Sequence, residues 1–395
     1  MARPEVAHKH RLMTLIAVVL LLAMAAPFAA VTPAFAAGII RVDISDAAAV
    51  YGSGQPNPYS VVYRSLQDAI DDAGAGDTVS VAAGTYCENV VLNKPVQLLG
   101  AGADVTVIDG GGRGDAVRNF YDLADGGIGV DGFVISGFTI KSFDTYAVRL
   151  VSNERTSGVI TKNIIRDSAF GIGIHGNCSV DVADNLIFSN RHSTNIDGFG
   201  VAVMTNTSSG CRSKICNNTI VDNYHGIWIY DSNADITNNI VVNNRGGQNV
   251  ESTGIDHHYG GTVNISYNDV YGNDVNYRAD ASPGVGDISA DPVFYDPDNH
   301  DLSLCKGSPC IDAGYNNAVP GWLTSDFQGN PRIMDGDGNL TKTVDIGAYE
   351  GDPESGAVAP VPETSTVILF TLGLFMLGSC LWLVKRRRDA ALAAR

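Results

Sequence analysis

The sequence predicts an all-β fold, a right-handed parallel β-helix with a capping helix at its N-terminal end. Two observations predict this fold. A short asparagine-centred motif recurs five times between residues 160 and 273, with spacings of 22, 33, 21 and 29 residues. A single amphipathic helical pattern precedes the repeats, at residues 65–74. Repeats of 20–30 residues that are too short to bury a core alone are typical of solenoids, in which stacked coils share one core.

The repeats share columns of residue types when they are aligned on their asparagine. The aligned asparagines are Asn163, Asn185, Asn218, Asn239 and Asn268. The column three residues before them is β-branched throughout and consists of Ile160, Val182, Ile215, Ile236 and Ile265. A second β-branched column stands two residues after the asparagine, and a mostly asparagine column stands five after it. We therefore expect one coil per repeat, with β-branched side chains inside and hydrogen-bonded asparagines stacked at the turns.

The two long spacings each contain an insertion of about seven residues at the same point of the coil, near 191–197 and 246–252. Insertions at one point of each repeat form loops on one face, which is often the binding face. In the strand that follows the insertions, alternation predicts which side chains point outward. We predict that four of them bind substrate: Arg149, His175, Trp228 and Tyr230. Asp256 and His258 could serve there as an acid–base pair, while His257 falls in an inward column.

Both ends of the chain have the composition of processing segments. Residues 1–36 have a basic start, an apolar stretch and a final Ala34-Phe35-Ala36, which predicts a cleaved signal peptide. A linker at 352–365 leads to an apolar stretch at 366–384, long enough to span a bilayer, and to a basic tail at 385–395. Removing both ends takes away eight basic and two acidic residues, so the net charge falls from −17 to about −23. Such a surface repels nucleic acid.

The motif Val361-Pro362-Glu363, just before the apolar stretch, resembles the PEP-CTERM sorting signal. In that family the third position is a second proline, and here it is Thr364. The resemblance implies an exosortase-like processing enzyme, transient residence in the inner membrane, and a final location in the cell envelope or extracellular matrix. The alternative is a lasting C-terminal membrane anchor.

Two further resemblances concern the mature chain. Leu66, Ala69, Ile70 and Ala73 share one face of a predicted helix that begins at Ser65. This helix and the strands after it resemble the N-terminal cap of the pectin-lyase-like β-helix superfamily. The motifs of residues 308–314, 329–332 and 345–350 resemble the C-terminal module of "choice-of-anchor" bacterial surface proteins. We thus expect a β-helix over 37–290 and a module at 291–351 that closes it.

Six of the seven cysteines lie between the signal peptide and the apolar stretch, in a part of the chain expected to be oxidised. Cys178 and Cys211 both stand seven residues before their asparagine, so they should stack within bridging distance in adjacent coils. Free buried thiols are the alternative. Cys305 and Cys310 could close a short loop.

An acidic turn offers oxygen ligands for a metal ion. Asp335, Asp337 and Asn339 alternate with glycine as calcium ligands do, although Ile346 stands where a calcium loop would have its closing glutamate. Calcium is therefore the only cofactor that the sequence suggests, and a solvated acidic turn is the alternative.

Three functions remain open from the sequence. The first is a non-catalytic exported protein that binds an extracellular polysaccharide; the absence of a lyase or glycosidase motif favours it. The second is a secreted polysaccharide lyase or glycoside hydrolase acting on an acidic glycan. The third is an adhesive or structural spacer. One fold hosts many functions, so the predicted architecture does not choose among them.

Overall fold

A computed structural model describes residues 37–120, 127–191, 198–204, 210–246 and 251–351. It contains one α-helix, α1 (Leu66–Asp72). The strands, in chain order, are β1 (Ile39–Val42), β2 (Val62–Tyr63), β3 (Thr78–Val81), β4 (Gly84–Tyr86), β5 (Val90–Val91), β6 (Gln97–Gly100), β7 (Thr106–Asp109), β8 (Val117–Arg118), β9 (Asp131–Ser136), β10 (Thr139–Lys141), β11 (Tyr146–Thr161), β12 (Ile164–Arg166), β13 (Phe170–Ala183), β14 (Leu186–Phe188), β15 (Phe199–Met204), β16 (Ser213–Cys216), β17 (Thr219–Val221), β18 (His225–Tyr230), β19 (Ala234–Thr237), β20 (Ile240–Val242), β21 (Thr253–His258), β22 (Val263–Ser266), β23 (Asp269–Tyr271), β24 (Val275–Ala279), β25 (Phe294–Asp296) and β26 (Asp301–Leu304).

The strands form the predicted right-handed parallel β-helix, with about nine turns. Each turn contributes strands to three faces. One face runs β3-β6-β9-β11-β13-β16-β19-β22, and a second runs β4-β7-β10-β12-β14-β17-β20-β23. The third, which we call the groove face, runs β5-β8-β11-β13-β15-β18-β21-β24. Strands β11 and β13 are long enough to bend and serve two faces each. Every pairing within these faces is parallel, whereas β25 and β26 form a separate antiparallel hairpin.

The predicted columns stack in register along the axis. Ile160 pairs with Val182, Val182 with Ile215, and Ile215 with Ile236, and these four side chains are completely buried. The predicted asparagine ladder is also present. Each ladder asparagine except the last donates from Nδ2 to Oδ1 of the asparagine in the next coil, as Asn218 does to Asn239 at 3.0 Å. The last one, Asn268, donates to Oδ1 of Asp287. The same amide also donates to backbone carbonyls, so these buried polar groups are satisfied.

A column of glycines lets adjacent coils approach closely beside the ladder. A Cβ on Gly200 would lie 2.8 Å from the carbonyl oxygen of Gly226, and one on Gly226 would lie 2.5 Å from that of Gly254. A larger residue at these positions would push the coils apart. This explains why glycine stands directly before the first inward β-branched residue of these strands, as in Gly171-Ile172, Gly200-Val201 and Gly226-Ile227.

The N-terminal helix forms as predicted. The Ser65 side chain accepts a hydrogen bond from the backbone N–H of Asp68, which caps α1, and Leu66, Ala69 and Ile70 are buried against the first coils. The sequence did not reveal a second cap. The Glu88 carboxylate accepts from the backbone N–H of Leu66 at 3.0 Å, and an anion there also suits the helix dipole.

The C-terminal segment, residues 291–351, packs along the outer surface of the second face. That it closes the β-helix stays a prediction from the sequence. Strands of this face are apolar on both sides: Ile220 points into the core, while Val221 packs against the segment. An exposed apolar sheet surface would be unfavourable, so the segment covers it. The last coil is followed by residues 281–288, in which Val285 forms an isolated parallel β-bridge with Ser266.

A buried arginine holds the C-terminal segment to the β-helix. The Arg332 guanidinium lies 3.1 Å from a carboxylate oxygen of Asp184 and 3.1 Å from one of Glu350, and all three side chains are almost fully buried. It also donates to the backbone carbonyl oxygens of Asp345 and Gly347. Two stretches of the C-terminal segment, at 329–332 and 345–350, therefore meet at one buried cluster against the β-helix.

Candidate binding groove

The outward side chains of the groove face form two columns with the register that the sequence predicts. Strand pairing places Arg149, Gly173, Ala202, Trp228, Asp256 and Arg278 in one column. It places Val151, His175, Met204, Tyr230 and His258 in the other. His257 occupies an inward position without a register shift, and its Nε2 is hydrogen-bonded to the backbone carbonyl oxygen of Gly260 at 2.9 Å. It is thus an interior histidine with a satisfied ring nitrogen.

A cleft of about 480 Å³ opens on this face. Its wall combines aromatic rings with ionisable groups, which is the composition expected of a small-molecule or glycan site. The lining residues are Tyr146, Phe170, Phe199, Met204, His225, Trp228, Asp256, His258 and Arg278. Three of the six predicted site residues, Trp228, Asp256 and His258, therefore line one cleft.

The aromatic rings of the cleft stack on one another along the β-helix axis. Tyr146 and Phe170 are 4.7 Å apart between ring centroids, Phe170 and Phe199 are 5.6 Å apart, and Phe199 and Trp228 are 4.8 Å apart and nearly parallel. Phe199 thus takes one of the two faces of the Trp228 indole. A sugar could stack on the other face only, so Trp228 offers a ligand a single ring face. Tyr259, which is 67% exposed, extends the aromatic surface beyond Tyr230.

Asp256 and His258 form the ionisable centre of the cleft. Oδ1 of Asp256 lies 2.8 Å from Nε2 of His258. Burial raises the pKa of Asp256, because a carboxylate loses hydration there, while the charges of His258 and Arg278 act to lower it. The Asp256 side chain is nearly inaccessible and His258 is half-buried, so His258 is the member of the pair that a ligand could touch more easily.

Arg149, His175 and Tyr230 do not line the cleft, although they lie in the predicted columns. The Arg149 guanidinium packs over the Tyr146 ring at 4.8 Å and lies 3.9 Å from an Asp115 carboxylate oxygen. Nε2 of His175 is buried, and burial lowers the pKa of this residue to about 4. His175 is therefore neutral at pH 7 and packs edge-on to Tyr146, and its role in binding substrate stays a prediction.

Phe199, His225 and Arg278 were missed by the sequence reasoning. The signal for the first two was present, since Phe170, Phe199 and His225 each stand directly before a glycine of the glycine column. Reading that position as a further outward column would have found the aromatic stack. Arg278 lies after Asn268, the last aligned asparagine, so no further repeat was available to place it in an outward column.

Two of the predicted metal ligands lie with a third carboxylate. Asp335 and Asp337 lie with Asp312, each offering one oxygen within 4.8 Å of the others. Asn339 lies beside this group, since its Nδ2 donates to Asp337 and its Oδ1 accepts from the backbone N–H of Thr341. The three carboxylates are ligands that calcium prefers, and calcium binding here stays a prediction.

Neither predicted disulfide is formed in the structure. Cys178 is a buried thiol whose Sγ donates to the backbone carbonyl oxygen of His175, although it stacks in the coil before Cys211 as expected. Cys310 is also a buried thiol and donates to Asp269 Oδ2 at 3.3 Å, on the side of the segment that faces β23, while Cys305 is partly exposed. The Cys178–Cys211 bridge stays a prediction for the oxidised protein. The Cys305–Cys310 bridge would require the Cys310 thiol to leave Asp269.

The predicted signal peptide, the sorting motif at 361–363, the apolar stretch and the basic tail lie outside the described residues. Within the described ranges, none of the helices is long and apolar enough to cross a membrane.

Comparison with known proteins agrees with the fold. Residues 126–287 match the family model described as "Right handed beta helix region". No curated protein matches the chain. Among solved structures, pectate lyase Pel9A is 12% identical with a TM-score of 0.48, over 81% of this chain and 98% of that chain. A pectin methylesterase mutant in complex with a hexasaccharide is 13% identical with a TM-score of 0.27, over 57% of this chain and 81% of that chain. At these levels of similarity neither enzyme's activity transfers to this chain.

Proposed function

We propose that this protein binds an extracellular polysaccharide in the cleft of the groove face, without cleaving it. The observation that carries the proposal is the composition of the cleft wall. Stacked aromatic rings that end at Trp228 supply an apolar contact for a pyranose ring, and His258 and Arg278 supply donors for its hydroxyl or carboxylate oxygens. The strongly negative net charge of the chain argues against nucleic acid as the partner.

We further propose that the protein is exported by its signal peptide and passes through the inner membrane transiently. An exosortase-like enzyme would then cut its tail and release it to the envelope or extracellular matrix. A rigid β-helix with a glycan-binding face suits a protein held in a polysaccharide layer.

Incubation with a panel of acidic and neutral polysaccharides, with and without calcium, tests the binding. Polymer size is followed by size-exclusion chromatography, and unsaturated products by ultraviolet absorbance. We expect polymer of unchanged size that co-elutes with the protein. Unchanged polymer without co-elution would favour the structural spacer instead.

Replacing Trp228 with alanine should weaken retention, because the ring is on the cleft wall. The matched control is Trp322→Ala, since Trp322 is 43% exposed and belongs to the C-terminal segment, away from the groove face. If both variants retain polysaccharide as the wild type does, the cleft is not the binding site.

The Asp256–His258 pair favours a second candidate function, a lyase or hydrolase that uses this cleft. A raised pKa on a buried carboxyl next to a histidine suits proton transfer. Shortened polymer would establish catalysis, and the absorbance would separate elimination from hydrolysis. An Asp256→Asn variant that retains polysaccharide but no longer shortens it would assign the chemistry to this pair.

A further inference from the structure

The ring of His225 is held in one orientation in the wall of the cleft. It packs nearly parallel to Phe199, at 5.4 Å between centroids, and edge-on to Tyr224 at 4.9 Å. Its Nδ1 lies 3.2 Å from the backbone N of Thr253 and 2.8 Å from the Oγ1 of the same residue. The ring is therefore held by a stacked ring, by an edge-on ring and by the hydrogen bonds of Nδ1.

These contacts also determine which ring nitrogen carries the proton. The backbone N–H of Thr253 can only donate, so Nδ1 must accept and carries no proton. In a neutral imidazole the proton then sits on Nε2. No described residue forms a hydrogen bond with Nε2, because both hydrogen bonds of the ring involve Nδ1.

The ring is neutral over the ordinary pH range. Burial is the first cause that lowers the pKa of His225, to about 4, and the positive charges of Arg278 and His258 add to it. Asp256, His258 and Arg278 are the ionisable groups that share the cleft with the ring. Above about pH 5 the cleft thus contains a neutral Nε2–H donor with no partner of its own in the described protein.

We propose that His225 is a specificity-determining residue of the groove, a fixed hydrogen-bond donor for one acceptor oxygen of the bound glycan. This inference rests on the proposed polysaccharide binding and deepens it. Because Nδ1 is taken by Thr253, the ring can donate to a hydroxyl, ring or glycosidic oxygen but has no lone pair left for a donor of the ligand. A donor that cannot reverse its role discriminates between glycans by the position of their acceptors.

The state of the ring can be measured without any glycan. Nitrogen NMR of the full chain labelled at histidine should show Nδ1 unprotonated and Nε2 protonated at pH 7, with no titration of His225 down to about pH 5. A proton on Nδ1, or a charged ring at pH 7, would overturn the proposal whatever the protein binds.

Two substitutions test the donor itself, with polygalacturonate, alginate, xylan and dextran as the probes in affinity electrophoresis. His225→Gln can place an amide N–H near the position of Nε2. His225→Asn can keep an acceptor for Thr253 but does not reach into the cleft. We expect His225→Asn to weaken retention roughly two- to tenfold, the worth of one neutral hydrogen bond, and His225→Gln to retain most of the binding.

The opposite order, with Gln weak and Asn normal, would mean that His225 acts only through Thr253 and would overturn the donor role. Retention that neither variant changes would also overturn it. If the wild type retains none of the four polysaccharides, the proposed function and the glycan part of this inference fail together. The NMR result would then still decide whether the ring is a fixed donor.

Discussion

Replacing Arg332 with methionine should loosen the C-terminal segment while leaving the coils folded. The arginine is 1% exposed and lies 3.1 Å from carboxylate oxygens of both Asp184 and Glu350, which are equally buried. Without it, two carboxyl groups would remain in the buried seam between the C-terminal segment and the β-helix, with no cation within ion-pair distance in the described structure. Breaking a buried ion pair in this way costs about 3–5 kcal/mol, much more than the pair itself contributes. That corresponds to roughly a hundred- to several-thousand-fold change in the local opening equilibrium.

Hydrogen exchange of the full chain, followed by mass spectrometry, is the suitable assay because the protein is a solenoid. Stacked coils do not need to unfold together, so a single melting temperature would mix several transitions. Peptides from residues 312–350 should lose protection by two orders of magnitude or more in Arg332→Met. Peptides from the ladder coils at 213–244 should change little, since the coils are stabilised mainly by their neighbours.

Arg155→Met is the matched control. Arg155 lies 3.4 Å from Asp131, but their side chains are 77% and 54% exposed, so solvent screens the pair and its loss should be close to undetectable. Combining Arg332→Met with Asp184→Asn and Glu350→Gln should recover much of the lost protection, because the isolated charges are then removed as well. A loss below about tenfold in Arg332→Met would refute the view that this arginine holds the seam.

Three further outcomes follow from the structure. Asn218→Leu should lower the local opening free energy of the ladder coils, measured by hydrogen exchange, by about 3 kcal/mol or more, because it leaves backbone and amide groups of two neighbouring coils buried without partners; a cost below about 1 kcal/mol would contradict the ladder's role. Burial raises the pKa of Asp184 and of Glu350, although Arg332 acts to lower both; because one guanidinium balances only one of the two carboxylates, the folded seam holds a proton that the unfolded chain has released. Its stability should fall as the pH rises from about 4 through 8–9, which exchange at several pH values would measure, and a seam that tightens over this range would contradict it. Asp312→Asn should weaken calcium binding about tenfold in titration calorimetry, while Asn339→Ala should not, and the reverse order would favour the ligand set expected from sequence.

The sequence predicted the β-helix from its own repeats. Inward residues such as Ile215 and Ile236 stand at a fixed distance from the asparagine of their repeat, because each coil must match the one below it. Every repeat carries that constraint, so the register of Trp228 relative to Asp256 could be read from the chain. The register of Arg149 was uncertain by one residue until strand pairing placed it in the same column. The capping helix was equally local, since its cap and its buried face lie within nine residues.

Only the tertiary structure showed the features that do not repeat along the sequence. Which outward side chains share the cleft depends on ring packing across coils, and this placed His225 on the wall and buried Nε2 of His175. The path of the C-terminal segment depends on contacts between residues far apart in the chain, such as Arg332 with Asp184, 148 positions away. Stacking of the coils requires the same residue types in every repeat, so it can be predicted from the sequence. A single long-range contact leaves no repeated pattern, and only the folded structure shows it.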